Sequence, residues 1–131
     1  MGFSHGLTVR WSDCDAYGHV NNAVYVTYLE EARGHFWRWL MAEDFRGFDF
    51  IIAEVTCTYL APAHDPDRLV IAVAVTAIGT KSFTLTYTIT GADGAIVARA
   101  SSVQVMYDHE KKASHAIPAG VRARLEAAAP G

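Results

Sequence analysis

One run of helical periodicity constrains this chain more than any other feature. Asn21 or Asn22 can cap a helix by accepting a bond from an N–H one turn on. Beyond them apolar residues recur at Tyr25, Tyr28, Leu29, Ala32, Phe36, Trp39 and Leu40, the spacing of a helix face. Glu30, Glu31, Arg33 and Arg38 fall largely elsewhere. Gly34 weakens such a helix by only about 1 kcal/mol relative to alanine. So broad an apolar face has to be covered, and nearly everything left to cover it reads as β.

Residues 7–11 form a short strand pattern. Ile51, Ala53, Val55, Cys57, Tyr59 and Ala61 alternate with more polar neighbours until Pro62 ends the run. Residues 69–78 are almost continuously apolar, the pattern of a strand covered on both faces. Phe83, Leu85, Tyr87 and Ile89 alternate with Ser82, Thr84, Thr86 and Thr88. Burying Phe83, Leu85 and Ile89 contributes roughly 1.5–3 kcal/mol each. Asp93-Gly94 suits a hairpin turn, residues 96–107 make a last long strand, and Pro118 opens a short helix over 119–128. The small residues from Leu125 to Gly131 are expected to fray. The order is strand, long helix, four strands, short helix. Short turns between strands imply an antiparallel sheet, and one long apolar helix beside it implies a curved sheet wrapped around that helix, an α+β arrangement.

With 131 residues the chain is read as one domain, 1–131, large enough to bury a core without disulfides or metal. Its apolar content of 51% leads us to expect apolar surface between subunits. A net charge of −3 argues against nucleic acid and anionic membranes as partners, while leaving room for a small basic patch that holds one phosphorylated ligand. No apolar stretch is long enough to span a bilayer, and the N-terminus lacks the basic start and apolar run of a signal peptide. Cys14 and Cys57 have no metal or redox spacing and read as reduced thiols, which places the protein in the cytoplasm. The six histidines form no metal-binding pattern, and there is no Gly-x-Ser-x-Gly elbow.

Reactive side chains crowd residues 11–25. Asp13, Asp15 and His19 stand just ahead of the helix start. A carboxylate can act as base or nucleophile, and a helix start offers free N–H donors to developing negative charge. Each residue also has a plainer role open to it. Asp15 can cap its own loop, and Asp13 can be a structural cap or an ion-pair partner. Two apart, the two carboxylates could share a face and raise one pKa. His19 can orient a base, bind substrate or donate a proton, or it can brace the loop. Gly18 permits a backbone conformation or close approach that a side chain forbids. Cys14, between two carboxylates, reads as a passenger. The helix aromatics, Tyr25, Tyr28, Phe36, Trp37 and Trp39, belong to the core, with one or two free to line a ligand pocket. Lys81 is either a hairpin lysine or a phosphate ligand; Arg68, Lys111 and Lys112 read as solvated.

The segment Asp13-Cys14-Asp15-Ala16-Tyr17-Gly18-His19-Val20-Asn21-Asn22-Ala23-Val24-Tyr25, followed by Tyr28-Leu29-Glu30-Glu31-Ala32-Arg33, closely resembles the signature of hotdog-fold acyl-CoA thioesterases, in their 4-hydroxybenzoyl-CoA thioesterase-like subgroup. The element order agrees over almost the whole chain. The resemblance implies a catalytic carboxylate at Asp15 and an oxyanion donor in the backbone N–H of Asn22; His19, between them in sequence, is taken as the third catalytic candidate. It also implies substrate contacts at Lys81 and Ser82, since Lys81-Ser82-Phe83 matches a stretch near the coenzyme A phosphates, and Gly18 and Tyr25 join them as substrate-binding candidates read from the residues themselves. Acyl-CoA is then the substrate, no metal or separate cofactor is expected, and the protein is a homodimer or homotetramer with active sites at the subunit boundary. One departure is Ala63-His64-Asp65-Pro66-Asp67, where relatives usually carry a glycine-containing turn. A non-catalytic acyl-CoA-binding or sensing module on the same fold is the alternative. A dehydratase acting on 3-hydroxyacyl thioesters would need a His with Asp or Glu in a different motif, which is absent from the sequence.

Overall fold

The computed structural model describes residues 2–130. Asn21 begins the long helix. Its Oδ1 accepts the Ala23 N–H at 2.9 Å from an extended backbone, and α1 (Asn22–Met41) follows. Around α1 lie β1 (Phe3–Thr8), β2 (Phe50–Tyr59), β3 (Arg68–Ile78), β4 (Ser82–Thr90), β5 (Ile96–Asp108), β6 (Ala113–Ser114) and a second helix, α2 (Ala119–Ala128). The strands form one antiparallel sheet in the order β1-β3-β4-β5-β2, with β6 added to β5. Register shifts at Ile52/Glu54, Val75/Ala77 and Ile89/Thr90 bend and twist the strands, so the sheet curls around the helix. The expected α+β architecture is the observed one. Gly94, at φ +84°, makes the expected turn between β4 and β5.

The core fills the concave side. Leu69, Ile71, Val73 and Val75 of β3 and Phe83, Leu85, Tyr87 and Ile89 of β4 meet Leu29, Ala32, Phe36 and Trp37 of α1. The Trp37 ring stacks on Phe83 at 5.6 Å between centroids and meets Phe50 edge-on at 5.0 Å.

Several expectations need correction. The first strand is Phe3–Thr8, not residues 7–11. The side chain of Asp13 accepts the Arg10 N–H at 3.0 Å and pulls residues 11–13 into a 3-10 turn, which leaves Trp11 exposed. β3 is covered on one face only, because α1 occupies just the concave side; Val70 on the other face is 42% exposed. Trp37, not Trp39, is the buried tryptophan of α1. Arg33 is buried too, its Nη1 donating to the Tyr87 hydroxyl at 3.2 Å. That hydroxyl continues a chain of buried polar groups through Ser102 to Gln104, which gives the guanidinium a polar neighbour under the helix. The C-terminal segment does not fray where expected. Leu125 is fully buried, and Arg124 Nη1 donates to the Leu40 carbonyl at 2.8 Å, satisfying one of the free carbonyls at the end of α1. Gly131 lies outside the described residues. The two-residue strand β6 was not foreseen, its length being too short to show periodicity.

Candidate active site

The loop ahead of α1 is held by Asp13. This carboxylate is 3% exposed. It accepts from Arg10 Nη2 at 2.9 Å, from the Arg10 backbone N–H, and from the Tyr28 hydroxyl at 2.7 Å. Its carbonyl accepts the Asn21 N–H at 3.0 Å, so one residue ties the loop to both the base and the cap of α1. Burial pushes the carboxyl pKa up, but the bonds from Arg10 and Tyr28 outweigh it and hold the group below the usual carboxylate range. Burial, then the bond to Asp13, pushes the Tyr28 phenol well above its ordinary value. The possibility that the two carboxylates share a face and raise a pKa is therefore corrected for Asp13, which turns inward and shifts down. Asp13 is a structural brace.

Asp15 behaves differently. It is exposed, and its Oδ1 accepts the Tyr17 N–H at 2.9 Å, a side-chain turn of the kind Asp favours. Its N–H donates to the His19 carbonyl and its own carbonyl accepts the Gly18 N–H, both at 3.0 Å. Gly18 closes this turn at φ +79°, a left-handed conformation that favours glycine.

A cavity of about 290 Å³ opens at the N-terminus of α1. His19, Val20, Asn22, Tyr25, Tyr59 and Pro62 are among the residues that line it. Asn22 is the first helical residue, so its N–H has no carbonyl of its own helix to reach. Its carbonyl accepts the Tyr59 hydroxyl at 3.0 Å, which fastens the end of β2 to the start of α1. Tyr25 and Tyr59 meet edge-on at 5.2 Å, and burial pushes both phenols up, keeping them protonated as donors at neutral pH. The aligned peptide dipoles of a twenty-residue helix favour negative charge at this end. Such a cavity can hold a carbonyl oxygen that gains charge.

Of the residues singled out in the sequence, His19, Asn22 and Tyr25 come together on this cavity. Gly18 shapes the adjoining turn, and the Asp15 carboxylate lies off the cavity wall, bound to its own loop. Lys81 and Ser82 lie far away in the same chain. Ser82 pairs with Val105, whereas Tyr59 pairs with Ala98, seven positions along β5 (105 − 98) and roughly 23 Å at about 3.3 Å per residue. Lys81 Nζ meets Ser114 Oγ at 3.5 Å.

Sequence reasoning missed Tyr59, although its place at the end of an alternating run, just before Leu60-Ala61-Pro62, is a legible signal. It also missed a second cavity of about 340 Å³ between α1 and β2, lined by Glu30, Arg33, Gly34, Phe48, Phe50 and Ile52. Nothing in the spacing of those residues foretells it. Among the described residues no group of three or more His, Cys, Asp or Glu side chains could hold a metal ion. No helix among them is long and apolar enough to cross a membrane.

The model of one family, the thioesterase-like superfamily, matches residues 9–125. The chain belongs to that superfamily. It is 31% identical to the long-chain acyl-CoA thioesterase FadM of Escherichia coli, over 92% of this chain and 94% of that one. It is 30% identical to the acyl-CoA thioester hydrolase YbgC of Escherichia coli, over 95% and 96% of the two chains. A Thermus thermophilus thioesterase solved in complex with coenzyme A and Zn superposes with a TM-score of 0.84 at 26% identity, covering 93% of this chain and 95% of its own. The sheet wrapped around α1 is the hotdog fold of this superfamily, as the sequence resemblance implied.

Proposed function

We propose that this hotdog thioesterase hydrolyses an acyl-CoA thioester to a carboxylic acid and coenzyme A at the N-terminus of α1. The observation that carries the reading is the cavity there, which joins the Asn22 end of the helix to His19 and to two protonated phenols. The thioester carbonyl docks on the Asn22 N–H, and the helix dipole stabilises the oxyanion that forms when the carbonyl is attacked. Asp15 either takes a proton from the attacking water or attacks the carbonyl itself to give a mixed anhydride that water then opens. A thiolate leaves readily, so no strong general acid is required. To act, Asp15 gives up the Tyr17 N–H and turns toward the cavity. The cost is about one exposed hydrogen bond, roughly 1 kcal/mol. Coenzyme A belongs to the substrate, and no cofactor enters the scheme.

The open edge of β2 supports a homodimer. Seven of its ten residues are exposed, Ile51, Ile52 and Tyr59 among them, and its outer edge has no partner strand among the described residues. Two copies pairing antiparallel along β2 would bury this edge. They would also set the Ile51 end of one strand beside the Tyr59 end of the other. Lys81 and Ser82 lie level with Ile51, so in this arrangement the second copy supplies them to the cavity, where Lys81 serves the coenzyme A phosphates. Each active site then lies at the subunit boundary. Free thiols at Cys14 and Cys57 suit the reducing cytoplasm.

Because the Asp15 carboxylate is bound to its own loop and is not among the residues that line the cavity, a module that binds acyl-CoA without cleaving it is the second reading. Asp15→Asn separates the two. Asparagine keeps the oxygen that closes the turn and removes the charge. Under the hydrolytic reading, thiol release from an acyl-CoA panel falls by roughly 10²–10⁴ with the melting temperature unchanged. Wild-type protein that binds acyl-CoA in titration calorimetry yet releases no thiol is the module. Sedimentation equilibrium tests the dimer: charged residues placed at Ile51 and Ile52 should shift it toward monomer.

A further inference from the structure

The loop between β2 and β3 carries a charge arrangement that the hydrolytic reading does not use. Val20 and Ala63 are both buried, and the Val20 N–H donates to the Ala63 carbonyl at 2.8 Å. Each has a histidine beside it in sequence. That backbone bond therefore fixes His19 and His64 as neighbours, and their rings meet edge-on with centroids 4.8 Å apart at 84°. Behind His64 stands Asp67. Its Oδ2 accepts the His64 backbone N–H at 2.9 Å and lies 3.6 Å from His64 Nδ1. The Asp67 N–H returns a bond to the His64 carbonyl at 2.6 Å, and the Asp67 carbonyl accepts the Val9 N–H at 2.8 Å. Carboxylate, imidazole, imidazole and cavity thus follow one another along one line of contacts. The far end of that line, His19, forms part of the wall around Asn22.

We propose that His64, held by Asp67, is a positioning residue for His19. The inference rests on the hydrolytic reading of the cavity. An exposed imidazole on a loop samples several rotamers, whereas work at a reacting centre needs one ring orientation within hydrogen-bond reach. The edge of His64 removes the competing orientations of His19. Asp67 does the same for His64. The other titratable groups near the pair are Asp15 on the same loop as His19, Tyr25 on α1, Tyr59 on β2, and Asp65 on the loop of His64.

The experiment is a double-mutant cycle. His64→Phe keeps a ring against His19 but no nitrogen. Asp67→Asn keeps an oxygen for the His64 N–H but no charge. In the wild-type background we expect His64→Phe to lower kcat on acyl-CoA about tenfold and Asp67→Asn about threefold, with KM within twofold. In a His19→Gln background neither should cost anything further. An equal loss in both backgrounds, or no loss in either, overturns the proposal. A second readout does not depend on turnover: imidazole nitrogen NMR spectra should show the His19 tautomer pattern altered by Asp67→Asn, and unaltered His19 signals overturn it. Wild-type protein without hydrolysis would instead overturn the hydrolytic reading, and the spectra would still decide whether His64 orders His19.

Discussion

Asp13 and Asp15 stand two residues apart in one loop and do opposite things. Asp13 faces inward, takes three hydrogen bonds and is held ionised. Asp15 faces outward and holds one N–H of its own turn. A carboxylate satisfied on every side has no lone pair to offer a substrate. A carboxylate with one weak bond can exchange it for a reacting proton or carbon at small cost. The same loop therefore separates a brace from a candidate catalyst, and the brace fixes the helix end beside which Asp15 stays loosely held.

That contrast breaks most sharply at Asp15 and the helix end beside it. Asp15→Asn should cost turnover by roughly 10²–10⁴ and leave stability alone. The partner test is Asn22→Pro. Proline is tolerated at the first helical position, and Asn21 before it is already extended, at φ −64° and ψ 141°. The substitution deletes the one N–H proposed to hold the oxyanion and keeps the helix. We expect kcat to fall about 10²–10³-fold with a melting temperature within a few degrees. Unchanged kcat in a folded Asn22→Pro protein would move the oxyanion site away from this helix end.

At the brace, the effect should appear in stability and not in chemistry. Tyr28→Phe removes one of the buried bonds to the Asp13 carboxylate and should cost about 1.5–3 kcal/mol in urea denaturation. The pH dependence follows from the direction of the shift. The folded pKa of Asp13 lies below its ordinary 3.8, so the unfolded chain takes up the proton first as pH falls. The stability contributed by Asp13 is complete above that ordinary value and is lost as pH drops through the folded one. Tyr28 shifts the other way. Its contribution is complete below the ordinary 10.0 and declines as pH rises beyond it. In Tyr28→Phe the share of the alkaline decline that Tyr28 contributes should vanish, leaving that of Tyr25 and Tyr59, and the acid decline should shrink.

How much of this was legible in the sequence depends on range. The helix start at Asn21 and Asn22, the alternation of β4 and the turn at Gly94 are local, and the structure matches the sequence pattern at each. The superfamily itself was visible in residues 13–33. What failed was long-range. Trp37 is buried and Trp39 is not because the curved sheet reaches around one side of α1, which no spacing along the helix encodes. Arg33 is buried because Tyr87, 54 residues away, meets it with a hydroxyl. Asp13 reads as a structural cap or ion-pair partner, as it proves to be, but its bond to Tyr28, 15 residues away, is not legible. The strand at residues 69–78 looked doubly covered because apolar content alone cannot distinguish a face packed against α1 from one left open in a single chain.

The finest comparison lies between the two adjacent asparagines. Asn21 caps α1 through its side chain, whereas the proposed part of Asn22 is its backbone alone. Asn21→Ala should therefore destabilise the protein by about 1 kcal/mol, the usual cost of losing such a cap, and lower kcat only as far as the helix end loosens. Asn22→Ala should leave both quantities nearly untouched, since alanine carries the same N–H and suits a helix. Thermal melts and thiol-release rates on the two variants check the pair. A loss of turnover for Asn22→Ala that matches Asn22→Pro would mean the side chain, not the peptide N–H, faces the substrate. The chemistry would then depend on the asparagine as a residue and no longer on the helix it begins.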